Sequence, residues 1–293
     1  MIDRQTDTER DAPFVRLGPP AAASPVVLSV PHAGRDYSPL LLDASRLTRR
    51  QLESLEDRYV DRLVEPALGT GAAAIIARRP RAEIDLNRDE REVDPALINP
   101  PPPARAVLPT ARTRGGLGLI PARVAGAGPI WHRPIDGSEL HRRITRIHRP
   151  YHAALAEALE SARDRFGVAI LIDCHSMPPR IERKGGQAEI IFGDLHGTTI
   201  AEDLLAAAVQ AARLAGFRTA CNAPYAGGYI TARHGRPASR VHAVQIEIDR
   251  SLYLCRHLRT PGDGFDRIAD LLMRITMAIA DRAVPPHNAI AAE

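Results

Sequence analysis

Short apolar runs that stop abruptly at polar side chains recur along this chain. Val26 to Val30 leads into Pro31-His32-Ala33-Gly34, Val168 to Ile172 leads into Asp173-Cys174-His175-Ser176, and the run from Ala243 to Ile248 carries Glu247 near its end. Runs of this length, rich in β-branched residues and bounded by turn formers, predict strands at 26–30, 168–173 and 243–248, with others at 73–77, 83–86, 189–193 and 217–221. Apolar positions three or four apart predict helices over 49–66, 138–165, 198–214 and 263–282. Asp136 or Ser138 can cap the second of these and Gly167 can close it, while Pro150 should kink it. Strands alternating with helices predict an α/β fold: a mixed, mostly parallel sheet flanked by helices in three layers.

The stretches 98–137 and 222–240 are too rich in glycine and proline for regular structure, and connections of this length in a compact domain are often functional. Residues 1–23 read as an N-terminal arm, 24–284 as a single catalytic domain and 285–293 as a C-terminal tail. No stretch of about 18 apolar residues occurs and the amino terminus is polar, so neither a membrane span nor a signal peptide is expected. Three widely spaced cysteines with no Cys-x-x-Cys pair argue against a disulfide framework and fit the reducing cytoplasm.

The formal charge of +4 arises from arginine, since Lys184 is the one lysine in the sequence. Scattered mild basicity with 4% aromatic residues argues against nucleic acid as a partner and suits a small anionic substrate.

The strand ends hold the candidate chemistry, because ligands of open α/β folds bind at the carboxyl edge of the sheet. His32 and His175 each follow an apolar strand, so two imidazoles can converge on a divalent metal with an open position. A third ligand would be a carboxylate, and Glu56, Asp57 and Asp61 all lie where a first helical turn also favours acidic residues without any metal. His148 and His152 could ligate from one helix face, but packing is the commoner task for such a pair. Arg88 can fork a substrate carboxylate in a way lysine cannot. Glu247 sits in an apolar β run, where a carboxylate is costly unless it is paired with an arginine or serves as a general base.

Taken together, Pro31-His32-Ala33-Gly34, Asp57-Arg58-Tyr59-Val60-Asp61, Ile84-Asp85-Leu86-Asn87-Arg88, Asp173-Cys174-His175-Ser176, Gly227-Gly228-Tyr229-Ile230-Thr231 and Val241 to Glu247 resemble the N-formylglutamate amidohydrolase family over residues 25–280. More distantly the pattern is similar to zinc carboxypeptidases and to the aspartoacylase and succinylglutamate desuccinylase group, which implies a phosphorylase/hydrolase-like fold. The resemblance implies one zinc ion on His32, Asp57 and His175, with Asp61 second to Asp57, and Glu247 as general base and acid. It further implies that Asn87 and Arg88 bind the substrate carboxylate. Arg114 or Arg123 would serve as oxyanion donor or as a second carboxylate anchor, and Gly228, Tyr229 and Thr231 would close over the amino-acid portion. Position 35, where carboxypeptidases carry a glutamate ligand, is arginine here. The implied reaction is hydrolysis of N-formyl-L-glutamate to L-glutamate and formate in histidine degradation. The alternatives are another N-acyl amino acid or small peptide-like amide, or a non-catalytic binding protein for an anionic metabolite.

Overall fold

Strands β1 (Phe14–Leu17), β2 (Val26–Val30), β3 (Ala73–Ala77), β4 (Ala169–Met177), β5 (Ile190–Gly193), β6 (Thr219–Cys221) and β7 (Val241–Asp249) form one sheet in the order β1-β3-β2-β4-β7-β5-β6. The computed structural model describes residues 12–179 and 187–284. The first residues of the expected arm, the lone Lys184 and the expected tail from Pro285 lie outside them. β4 runs parallel to β2 and β7, β6 runs parallel to β5, and β7 meets β5 antiparallel. The sheet is thus mixed and mostly parallel, with flanking helices, as the alternation of elements predicts.

β4 and β7 are buried along all nine residues. Strands covered on both faces read as nearly continuous apolar runs, which is why both were visible in the sequence. Among their polar residues, Asp173 and His175 in β4 and Gln245 and Glu247 in β7 fall on alternate positions. A period of two puts each pair on one face of its strand.

Two compact units emerge, residues 12–16, 30–58 and 75–154 in one, and 17–29, 59–74, 155–179 and 187–284 in the other. In the second unit, helices α3 (Glu202–Leu214) and α5 (Phe265–Ala283) pack together. α5 buries Ile268, Leu271, Leu272, Ile275 and Ile279 on one stripe, each contributing about 1.5–3 kcal/mol of apolar burial. The first unit is mostly irregular. Trp131 lies buried in its loop region and donates through Nε1 to the Pro121 carbonyl at 2.8 Å.

Three predicted elements differ from the structure. The segment 83–86 is not a strand: Asp85 N–H donates to the Leu119 carbonyl, and the Glu83 and Leu86 carbonyls are met by the Arg143 and His152 side chains. The predicted helix 49–66 is broken into Arg49–Leu52, a 3-10 turn at Glu53–Leu55, Val60–Leu63 and Glu65–Leu68. Tyr59 is left-handed (φ 63°), and the Asp57 N–H leaves the helical ladder for the His32 carbonyl at 2.9 Å. A left-handed non-glycine residue ends helical propagation. The helix over 138–165 begins as predicted, with Asp136 capping Ser138 N–H, and ends at Gly167 (φ 71°). Its disturbance takes the form of a π turn, Ile144–His148, between α1 (Gly137–Arg143) and α2 (Arg149–Phe166). The Arg149 N–H reaches back to the Ile144 carbonyl, one residue further than in an α-helix, just before Pro150, which has no N–H to give.

Candidate active site

The end of β4 supplies part of a side-chain cluster that could hold a metal ion. Asp173 is completely buried and accepts a hydrogen bond from Ser29 Oγ at 2.8 Å on Oδ1, while its Oδ2 lies 2.8 Å from His175 Nε2. A carboxylate can only accept, so a hydrogen belongs on His175 Nε2, which leaves Nδ1 as the nitrogen that could meet a metal. His32 is held in the same way. Its Nε2 lies 2.7 Å from Asp85 Oδ1, and its Nδ1 is 3.3 Å from Asp57 Oδ2.

Asp85 also accepts the Asn87 N–H on Oδ1 at 2.9 Å and Arg81 on Oδ2 at 2.8 Å. Burial opposes its ionisation, but Arg81, Arg88 and His32 outweigh burial and hold its carboxyl well below the usual range. Each histidine is thus oriented by a carboxylate on its Nε2, the arrangement that carboxylate partners impose on metal-ligating imidazoles.

His32, Asp57 and His175, all buried, each offer one ligand atom, and the three atoms lie within 4.8 Å of one another. Two imidazole nitrogens and a carboxylate oxygen suit a zinc ion that keeps a position open for water and substrate. The other two candidates for the third ligand stand outside this group. Glu56 accepts from the Tyr37 hydroxyl and from Arg58, both at 2.7 Å, and burial raises its pKa. Asp61 lies in the first turn of Val60–Leu63.

Glu247 is 8% exposed and stands in register with His175 across the parallel β4 and β7 pair, as Gln245 does with Asp173. Register partners in adjacent strands share a face at a spacing of about 5 Å. Gln245 Nε2 donates to Glu247 Oε1 at 2.9 Å, which fixes the carboxylate plane. Directly after β7, Arg250 Nε donates to Ser176 Oγ at 3.0 Å.

Asn87 and Arg88 are also buried. Arg88 donates through Nε to the Leu117 carbonyl at 2.9 Å and through Nη1 to the Asn87 carbonyl at 2.6 Å, and burial lowers its pKa. The nearby charges that act on it are Asp85, Arg81, Arg112 and Glu92. Arg114, which ends the short helix Ala111–Arg114, and Arg123, in the two-residue strand Arg123–Val124, are exposed and are not among them.

The glycine loop behaves partly as expected. Gly227 (φ 123°) approaches Gly193 so closely that a Cβ on Gly193 would stand 2.6 Å from Gly227 N. Gly228 precedes α4 (Tyr229–His234), and the buried Thr231 hydroxyl is engaged with Gly228, accepting from its N–H and donating to its carbonyl. The Tyr229 hydroxyl accepts from Arg233 at 2.7 Å. Cys174 is fully buried, and burial pushes its thiol pKa up, which suits packing and not nucleophilic attack.

The N-formylglutamate amidohydrolase family model matches residues 24–254. The chain belongs to that family. It is 30% identical over 236 residues to the N-formylglutamate deformylase of Pseudomonas putida, covering 78% of this chain and 82% of that one. It is 28% identical to the deformylase of Pseudomonas aeruginosa over 266 residues, 89% of each chain. The crystal structure of N-formylglutamate amidohydrolase from Ralstonia eutropha matches with a TM-score of 0.85 at 36% identity, covering 92% of this chain and 98% of that one. As a member of the N-formylglutamate amidohydrolase family, the chain is a hydrolase acting on an amide bond.

Sequence reasoning gave no task to Asp85, Asp173, Arg81, Arg112 or Arg250. Asp173 carried a usable signal, since it lies two residues before His175 on the same strand face. Asp85 carried none, because it meets His32 across 53 residues of chain.

Proposed function

We propose that this chain is a zinc-dependent N-formylglutamate amidohydrolase that releases L-glutamate and formate. The observation that carries the reading is the convergence of His32, Asp57 and His175, in a chain whose relatives are named for this reaction. His32, Asp57 and His175 would hold the ion, with Asp85 and Asp173 fixing the two rings. Zinc, when bound, supplies a Lewis acid for the attacking water and the formyl carbonyl.

Glu247 takes a proton from the attacking water as its oxygen bonds to the formyl carbon. It then gives that proton to the amide nitrogen as the C–N bond breaks, leaving formate and the free amine of glutamate. Gln245 keeps the carboxylate oriented for both transfers. Asn87 and Arg88 bind a substrate carboxylate, and Arg112 or Arg81 supplies further positive charge there. Arg114 or Arg123 would serve as oxyanion donor or as second-carboxylate anchor, with Gly228, Tyr229 and Thr231 shaping the wall over the amino-acid portion. We place the enzyme in the cytoplasm, at the final step of histidine breakdown. Among the described residues no helix is long and apolar enough to cross a membrane.

The test is formate release from N-formyl-L-glutamate by the zinc-loaded protein, with N-acetyl and other N-acyl amino acids in parallel. Preferential formate release supports the reading. Cleavage of the other amides alone would keep the chemistry and change the substrate, and tight glutamate binding without any turnover would favour a non-catalytic binder.

A further inference from the structure

The stretch from Glu83 to Arg88 is buried, belongs to no strand, and has four of its six carbonyls met by side chains. Arg143 Nη1 donates to the Glu83 carbonyl at 2.8 Å, His152 Nε2 lies 3.0 Å from the Leu86 carbonyl, Arg88 takes the Asn87 carbonyl, and His148 Nε2 lies 2.9 Å from the Arg88 carbonyl. His148 and His152 thus grip the backbone on either side of Asn87, and neither has a task in the reaction described above. Both rings are 1% exposed, with centroids 4.4 Å apart.

A carbonyl oxygen only accepts, so both rings carry their hydrogen on Nε2. Spacing of four residues puts them on one helix face. An apolar residue would fill the same volume but leave a buried carbonyl without its donor, at a cost that histidine avoids. The Arg88 guanidinium is folded back onto its own neighbourhood, so its position follows the backbone the histidines hold.

We propose that His148 and His152 are positioning residues that set the affinity for substrate by fixing the Asn87–Arg88 step, without taking part in bond cleavage. The inference rests on the proposed role of Asn87 and Arg88 in binding a substrate carboxylate.

The test uses the full, zinc-loaded chain and the variants His148→Leu, His152→Leu, His148→Gln and His152→Gln. The glutamine amide reaches about as far as Nε2 and can still donate, whereas leucine cannot. Each leucine variant should raise KM for N-formyl-L-glutamate roughly tenfold while kcat stays within about twofold, since small misplacements of binding groups are felt strongly. L-glutamate affinity by calorimetry should fall by the same factor, with zinc content unchanged, and glutamine should recover most of both losses. A leucine variant with a lower Tm but unchanged KM would reduce the pair to packing and overturn the proposal.

If the leucine variants do not fold, nitrogen-15 spectra of the wild type decide. Both Nε2–H signals should be present and shift when L-glutamate is added, and signals that ignore glutamate overturn the proposal. Wild-type formate release is measured first, so failure of the deformylase reading is seen separately. In that case L-glutamate binding still decides, because a wild type that does not bind it leaves the histidines nothing to position.

Discussion

Glu247 faces His175 across two adjacent parallel strands, one step beyond the pairing of Gln245 with Asp173. The proposed general base is therefore registered to the proposed metal-binding ring by the backbone hydrogen bonds of the two strands. Glu247→Gln keeps an oxygen to accept from Gln245 but cannot take a proton. It should lower kcat by about 10²–10⁴-fold with zinc stoichiometry unchanged. Steady-state formate release with metal analysis checks this, and activity within tenfold of wild type would remove Glu247 from the proton transfers.

The buried carboxylates behind the two rings should be visible in metal affinity. Asp173→Ala frees the His175 tautomer and should weaken zinc binding about 10–100-fold, as loss of such partners generally does. His32→Ala with His175→Ala should abolish stoichiometric zinc. Chelator competition measures both, and the wild type stripped of zinc should regain activity on its return. Zinc retained by the double variant would relocate the site.

Acid sensitivity has a definable contribution from Glu139. Hydrogen bonds from Arg142, opposed by partial burial and reinforced by Arg143, bring its pKa from 4.5 to about 2. The folded value lies below the unfolded one, so the stabilisation is complete above about pH 4.5 and is lost as pH falls towards 2. Because the side chain is 32% exposed, Glu139→Gln should cost only about 1 kcal/mol at pH 6 after solvent screening. Urea unfolding at pH 6 and pH 2.5 should show that difference shrinking at the lower pH.

The three cysteines should react in a fixed order. The Thr260 hydroxyl lies 3.2 Å from Cys255 Sγ, and this contact with neighbouring backbone N–H groups lowers the Cys255 pKa to about 6. Burial raises that of Cys221, although it is exposed, and Cys174 is both enclosed and shifted upward. At pH 7 a maleimide should label Cys255 first, and Cys255→Ser should remove the fast phase seen by mass spectrometry. A fast phase that survives the substitution would contradict this order.

The elements legible in the sequence were those whose burial is nearly complete. Val26–Val30, Ala73–Ala77 and the runs within β4 and β7 are apolar because both their faces are covered. The strand ends were legible for the same reason, since His32, His175 and Glu247 interrupt an apolar pattern. The segment 83–86 shared that pattern yet is no strand, because burial alone does not say whether a carbonyl meets a neighbouring strand or an arginine and two histidines. The helix over 49–66 had the right spacing, but the left-handed Tyr59 and the Asp57–His32 backbone bond depend on partners distant in the chain. Composition and spacing left Asp57 level with Glu56; the family resemblance put Asp57 first, and Tyr37 and Arg58 occupy Glu56.

The π turn at Ile144–His148 accommodates one residue more than an α-helical turn of the same rise. Deleting a single residue there would leave a regular helix with the segments before and after it in nearly the same rotational relation, whereas a deletion inside an α-helical segment turns its two sides by about 100°. Arg143 and His148 lie at the two ends of the π turn, and they reach carbonyls five residues apart, at Glu83 and Arg88. The additional residue acts as slack between the two helical segments that meet this irregular strip of backbone. A one-residue deletion in 144–147 should therefore disturb the fold less than the same deletion within Arg149–Phe166, where no spare residue absorbs the change.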